Sequence, residues 1–325
     1  MRKSFLLFAA ICCAVVTMAS APEGALPGLF SVANGKQVYF SQGNLQIKPI
    51  AYEWRFAPYQ YERAGADNAL IAGSADVFID LFGWATSGWV GSTAKAHMPW
   101  DASTNDADYI LGNDFHIGML DDYAHADWGI ENAIPNGGNK AGLWRTLTSE
   151  EWEYLLFDRP NAASKMAVGS VGDVHGLIIL PDEWTQPSGL SWDANATKWT
   201  TNRYAQSVVE WDKMQKAGAL FLPCAGFRDG DKVNAVNSTA GYWAATYYDN
   251  TSASGVSFEE ILVDIAGFSR HQGLSVRLVH DAEMASGINA NPSANIGGSQ
   301  KIIRNGQLFI EKNGKTYNVL GAEVK

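Results

Sequence analysis

Positive charge, cysteine and long apolar runs are all scarce in this chain, and each shortage closes off a class of function. Lys and Arg number 24 against 34 Asp and Glu, for a formal net charge of −10 at pH 7. With no basic stripe interleaved with aromatics, nucleic acid is not expected as a partner, and the acidic balance opposes docking on an anionic membrane. No apolar run reaches the about 20 residues that a membrane-spanning helix needs, so no transmembrane segment is expected in the mature chain. The common catalytic and metal signatures are missing too: there is no HExxH, no GxSxG elbow, no phosphate-cradling P-loop and no EF-hand order.

What stands at the start of the chain bears on the compartment. Arg2 and Lys3 precede the apolar run Phe5 to Val16, and small residues follow in Thr17-Met18-Ala19-Ser20-Ala21. This order predicts a secretory signal peptide over residues 1–21 and an exported protein, at the cell surface or beyond it. Cleavage after Ala19 reads better than after Ala21, where Pro22 would flank the scissile bond. Cys12 and Cys13 lack a good lipobox, because Ile11 or Cys12 stands where a small residue is needed. Losing Arg2 and Lys3 takes the charge from −10 to −12, and of the 3 cysteines only Cys224 stays. A single thiol makes no internal disulfide, so a large core must hold the fold alone.

Three regions are expected to follow the signal: a main domain over 22–280, a flexible linker over 281–299 and a β tail over 300–325. The main domain reads as α+β, with short strands, two main helices and long loops. Val38-Tyr39-Phe40 and Leu45-Gln46-Ile47 read as strands either side of the turn Ser41-Gln42-Gly43-Asn44. Trp54-Arg55-Phe56, Leu177 to Leu180, Ala219 to Leu222, Tyr242 to Thr246 and Ser275 to Val279 read as further strands. Thr148 with Glu151 three residues on forms a capping box, followed by Trp152, Leu155 and Leu156 at helical spacing and stopped at Asp158-Arg159-Pro160. A second helix is predicted from about Ser207 to Ala217, ended by Gly218. The linker is rich in Ala, Ser, Gly and Asn. The tail reads as a three-stranded meander, with Asn305-Gly306 and Asn313-Gly314 as hairpin turns.

At Trp144-Arg145-Thr146-Leu147-Thr148-Ser149-Glu150-Glu151-Trp152-Glu153-Tyr154 the chain resembles the helix signature of the formylglycine-generating-enzyme (sulfatase-modifying-factor) superfamily. Phe221 to Arg228, Gly241 to Thr246 and Ser275 to Val279 resemble three later segments of its exported bacterial relatives, the "major paralogous domain" proteins, in the same order. The resemblance implies a C-type-lectin-like fold. It does not imply the oxidase reaction, because those enzymes bind copper through a cysteine pair near the end of the domain and this chain has none there. Cys224, in an apolar segment, reads as a small buried hydrophobe. The tail, at Asn305 to Ile310 and Gly314 to Gly321, resembles C-terminal sorting segments of type IX secretion, which implies the secretion machinery as a partner.

The remaining candidates come from residue chemistry. The chain has 12 tryptophans, and Trp and Tyr suit sugar stacking and core filling alike. Trp84, Trp89, Trp100 and Trp128 fall in loop-like stretches and are the candidate ligand contacts, although burial is the commoner fate of Trp. His116 and His125, with Asp121 and Asp122 between them, make a weak zinc pattern. Asp101, Asp106, Asp108 and Asp114, and separately Asp229-Gly230-Asp231 with Asn234, offer hard oxygen ligands to calcium; no cofactor is otherwise expected. Glu150, Glu151 and Glu153 read as helix-start charges. The expectation is a non-enzymatic surface binding or adhesion module that recognises a glycan or a cell-surface protein. The rivals are an enzyme acting on extracellular polysaccharide and a structural fimbria or surface-layer subunit.

Overall fold

The computed structural model describes residues 20–91, 95–205 and 210–282, and from residue 299 onward the strands 299–304, 307–312, 315–318 and 323–324. The expected signal peptide, nearly all of the expected linker and the two Asn-Gly dipeptides of the tail lie outside the described residues. The chain divides into two units, Met1–Ala282 and Glu283–Lys325.

The first unit is α+β, with many strands and few, short helices. Its strands are β1 (Phe30–Ala33), β2 (Lys36–Phe40), β3 (Leu45–Lys48), β4 (Glu53–Phe56), β5 (Met166–Val171), β6 (Val174–Ile179), β7 (Arg203–Tyr204), β8 (Leu220–Pro223), β9 (Phe227–Asp229), β10 (Lys232–Asn234), β11 (Ala240–Tyr247), β12 (Ser252–Glu259), β13 (Leu262–Ser269) and β14 (Val279–Asp281). They form small sheets, ordered β1-β2-β14, β3-β4, β7-β5-β6-β8, β10-β9 and β11-β12-β13. The helices are α1 (Trp128–Glu131), α2 (Ser149–Glu153) and α3 (Glu210–Lys216).

Local chemistry accounts for the helix ends. At α2 the Thr148 hydroxyl accepts from the Glu151 N–H at 3.2 Å, and the Glu151 carboxylate accepts from the Thr148 N–H at 3.0 Å, the expected capping box. The helix continues as a π turn over Tyr154–Asp158. It stops where buried Arg159 pairs with Asp182 at 3.1 Å and donates to the Leu180 carbonyl at 2.9 Å. In α3, Trp211 and Met214 face inward, and Gly218 follows with φ +96°, a conformation that favours glycine. Of the predicted start of this helix, 207–209 lie outside the described residues.

The strands either side of Ser41–Asn44 are present but do not pair with each other. β2 lies between β1 and β14, and β3 pairs with β4. The segment between them is a buried corner rather than a solvent turn. Ser41 Oγ donates to the Gly43 carbonyl at 2.9 Å, and Asn44 Nδ2 donates to the Tyr242 hydroxyl at 3.1 Å. A Cβ on Gly43 would lie 2.2 Å from the Ala57 carbonyl oxygen, so only glycine fits. Ser275 to Val279 also departs from a regular strand. It threads through the core by single bridges, Ser275 to Tyr242 and Val279 to Arg145.

Aromatics fill the volume that short irregular elements leave. One apolar cluster packs Phe30, Phe40, Trp152 and Phe258; a second packs Trp54, Phe56, Trp84, Trp128, Trp144 and Trp243; a third gathers around Trp211 and Phe221. Burying a large apolar side chain contributes about 1.5–3 kcal/mol, and these clusters hold the described residues together, among which Cys224 is unpaired. Among the described residues no helix is long and apolar enough to cross a membrane.

The second unit is an antiparallel sheet of β15 (Ser299–Arg304), β16 (Gln307–Lys312), β17 (Lys315–Asn318) and β18 (Glu323–Val324), in chain order. The fourth strand corrects the expected three. It is only 2 residues long, too short to leave a period-2 pattern in the sequence.

Candidate functional site

The four candidate tryptophans part company in the structure. Trp84 and Trp128 are wholly buried, which corrects their reading as ligand contacts. The Trp84 indole N–H donates to the Ala244 carbonyl at 3.0 Å, and Trp128 packs on Phe82 with ring centres 6.1 Å apart. Trp128 is drawn inward because Asp127, itself buried, caps α1 by accepting from the Gly129 N–H at 3.0 Å. Trp100 is half-buried, edge-on to Tyr52 at 6.0 Å. Trp89 is half-buried against Tyr123 at 6.2 Å and His125 at 5.8 Å.

Through Tyr123, Trp89 flanks an aromatic hollow. The hollow has a volume of about 390 Å³ and lies between the segment 116–123 and the end of β11, with walls that include His116, Asp121, Asp122, Tyr123 and Tyr247. Backbone pairing builds it. The Met119 N–H donates to the Ala245 carbonyl at 2.8 Å, and a Cβ on Gly118 would come within 2.9 Å of that same oxygen. The chain then turns through Asp121, with φ +50°, into a 3₁₀ helix over Asp121–Ala126. Its first two residues, Asp121 and Asp122, are exposed. Neither carboxylate makes an ion pair or hydrogen bond among the described residues. On the other wall Tyr247 is 36% exposed, and the His116 ring stands edge-on to it at 5.3 Å.

A buried cation ties the two walls together. Arg270 is wholly buried. Its Nη2 donates to the carbonyls of Phe115 and Asp249, the latter at 3.2 Å, and its Nε donates to the Ser252 carbonyl at 3.4 Å. Its guanidinium also lies 5.0 Å from the Trp84 ring centre. Phe115 adjoins His116, and Asp249 is two residues beyond Tyr247. Burial pulls the Arg270 pKa below the usual arginine range, opposed by the charges of Asp106 and Asp249. The outer turn is fixed separately: Asp249 Oδ1 accepts from the N–H groups of Thr251 and Ser252, each at 2.8 Å. Those bonds hold the Asp249 carboxyl below its ordinary value.

Most of the predicted metal ligands, Asp121, Asp122 and Asp231 excepted, are occupied with local work. Asp101 accepts from the Met98 N–H at 2.8 Å, Asp108 from Ser103 Oγ at 2.6 Å, and Asp114 from the His116 N–H at 2.9 Å. Asp106 accepts from the His271 N–H at 3.1 Å and lies 2.8 Å from its Nδ1, while Asp229 lies 3.5 Å from its Nε2. His116 pairs with Asp114 and His125 with Glu131, so the two histidines serve different carboxylates. Among the described residues no three His, Cys, Asp or Glu side chains converge as a metal site.

Two of the groups weighed for catalysis, Glu151 and Cys224, are engaged or buried. Glu151 is bound by Arg145 at 2.6 Å and Lys36 at 2.7 Å, and Arg145 reaches on to Asp281 at 2.6 Å. Burial opposes ionisation of Glu151, but the hydrogen bonds and charge of Arg145 outweigh it and hold the carboxyl below its ordinary value. Cys224 is buried and its thiol is pushed up to about 12 by that burial, so it carries no thiolate at neutral pH.

The hollow was invisible as a unit in the sequence. Asp121 and Asp122 stood out only as spacers between histidines, and Tyr247 carried no signal. What the arrangement offers a ligand is two flat apolar faces, free oxygen acceptors and a volume within the range of small-molecule sites. No family model matches this chain, and neither a curated protein nor a solved structure matches it.

Proposed function

We propose that this chain is an exported, non-enzymatic binding module of the cell surface, with a C-type-lectin-like main domain, and that its hollow takes a short glycan. The observation that carries the reading is the pairing of exposed Tyr247 and half-buried Tyr123 with the unpartnered carboxylates of Asp121 and Asp122 around one open volume. Sugar C–H faces stack on tyrosine rings, and carboxylates accept from sugar hydroxyls. Such a site makes few contacts, so the expected affinity is weak, with Kd of about 1 mM corresponding to about −4 kcal/mol. The motif resemblance from Trp144 to Val279 supports the fold, and the signal-like start supports export. The C-terminal strands are read as a sorting segment for the secretion machinery.

The test is titration of the mature protein against a glycan panel, with Tyr247→Ala and Asp122→Ala as paired variants. Binding by the native chain and loss in both variants is the expected result. An absence of binding across the panel at about 10 mM ligand, a free energy no better than about −3 kcal/mol, would rule the reading out. Export is checked by cell fractionation: deletion of residues 300–325 should leave the protein inside the cell envelope.

A further inference from the structure

β13 is the outer strand of the sheet β11-β12-β13, and its free edge is unusually informative. β12 and β13 form a hairpin that closes at Glu259 and Leu262 and runs in unbroken register to Ser252 and Ser269. In a hairpin closed by two residues the closing pair exchanges backbone hydrogen bonds, and such pairs then alternate along the ladder. Leu262, Asp264 and Ala266 therefore bond inward to β12, and the N–H and C=O groups of Val263, Ile265 and Gly267 point away from the sheet. One of these is caught with a substitute partner: the Ile265 N–H donates to the side chain of its neighbour, Asp264 Oδ1, at 2.8 Å.

Beside the start of this edge lies a small apolar cleft of about 150 Å³, with Met166, Val168, Leu177 and Ala196 on one side and Ile261 to Val263 on the other. Ile261 is 79% exposed and Leu262 52%, so two adjacent large apolar residues stand in water at the rim. On the β12–β13 hairpin the charge has one sign. Glu259 and Asp264 are exposed, and the whole stretch from Ser252 to Ser269 contains no Lys or Arg.

We propose that the β13 edge is a strand-addition site for an extended segment of another protein, one that carries Lys or Arg next to a small apolar side chain. An incoming strand offers a carbonyl to the Ile265 N–H and so displaces the Asp264 carboxylate. The released carboxylate then takes a cation from the incoming strand. The apolar side chain enters the cleft, since strand addition draws affinity from main-chain bonds and selectivity from pockets for alternate side chains. The same acidic edge disfavours a second copy of this chain, because pairing two β13 edges sets like charges together; charged edge residues guard against such self-pairing. This surface is separate from the glycan hollow and does not depend on it.

The probe is a short fluorescein-labelled peptide of alternating Val and Thr with two Lys, and its counterpart with Glu in place of Lys, titrated against the full chain by fluorescence anisotropy. The Lys peptide is expected to bind and the Glu peptide not to. Ile265→Pro removes the outward N–H at an edge where proline is tolerated, and Asp264→Lys reverses the guarding charge. Each is expected to weaken the Lys peptide by about tenfold or more, or about 1.4 kcal/mol; Asp264→Lys, at an exposed position, keeps the test valid if the proline variant misfolds. Failure of the Lys peptide to bind, equal binding of both peptides, undiminished binding by Asp264→Lys, or self-association of the native chain would each overturn the proposal.

Discussion

The Nη2 group of Arg270 donates to the backbone carbonyl of Asp249 at 3.2 Å, and the same nitrogen also reaches the Phe115 carbonyl. One side chain that never touches solvent thus spans from the loop bearing His116 to the turn beyond Tyr247. Arg270→Lys is the informative change, because an ammonium on a thinner stem keeps the charge but cannot serve Phe115, Asp249 and Ser252 together. Stability should fall by about 2–4 kcal/mol, the cost of leaving buried polar groups unpaired, as read from the midpoint of urea unfolding. Glycan binding should weaken alongside, since both walls of the hollow lose their common anchor. A variant with native stability would show that the walls are held by other contacts.

Trp84 and Trp89 sit five positions apart in one loop-like stretch yet are expected to answer differently to truncation. Trp84 is wholly buried and hydrogen-bonded to Ala244, so Trp84→Ala should cost about 3–5 kcal/mol. Trp89 is half-buried against Tyr123; Trp89→Ala should cost at most about 2 kcal/mol and act mainly on the hollow through a loosened Tyr123. Denaturation of both variants in parallel, with glycan titration of the second, separates the two roles.

That contrast marks where sequence reading reaches and where it stops. The α2 start was legible because Thr148 and Glu151 are partners three residues apart. So were β2, β3, β4, β6, β8 and β11, from their short apolar runs, whereas the long hairpin β12–β13, whose residues are mostly small or polar, was not. Which strands pair was not: β2 meets β14 through Phe40 and Val279, a contact between the two ends of the main domain. The loop tryptophans misled for a related reason. Gly-rich, irregular segments have the composition of solvent-facing chain, but in this fold they line the core, and Trp84 and Trp128 supply its volume. The hollow depends on the Met119 to Ala245 backbone bond, which no side-chain pattern announces.

The thiol of Cys224, the one cysteine among the described residues, should be silent. Cys224 is buried, and burial lifts its pKa to about 12, with Arg63 acting against that rise. Native protein is expected to leave an aromatic disulfide reagent unreacted at pH 8 and to release its thiol only on unfolding. Cys224→Ala should cost about 1 kcal/mol for the vacated volume. Cys224→Ser should cost more, about 1–3 kcal/mol, because its hydroxyl would be buried in an apolar site. Fast labelling of the folded protein would contradict this account of the site.

The pH dependence of stability should draw on buried carboxylates working in opposite senses: burial raises Asp80 and Asp127, while Glu151 is held down. Asp127 is fully enclosed, and burial raises its pKa from 3.8 to about 6, against the N–H groups of Thr146 and Gly129 that bind its ionised form. A raised folded-state value means that the fold favours the protonated acid. Its contribution is therefore fully present below the unfolded pKa of 3.8 and lost as pH climbs through about 6, a change of about 3 kcal/mol for a shift of this size. Glu151 runs the other way. Arg145 holds it below the ordinary value of 4.5, so its contribution is present above 4.5 and lost as pH falls through the lower folded value. Together they place the stability maximum on the acid side of neutrality. Urea midpoints measured from pH 4 to pH 8 should decline from pH 4 to about pH 6 in the native chain and level off above that. Asp127→Asn, which cannot ionise, should make that decline shallower and leave the share of Asp80, while lowering stability at pH 4 because its amide presents donors toward the Thr146 N–H. A decline of the same slope in the Asn variant would place the pH dependence elsewhere and leave Asp127 ionised throughout, stabilised by the two backbone donors that cap it.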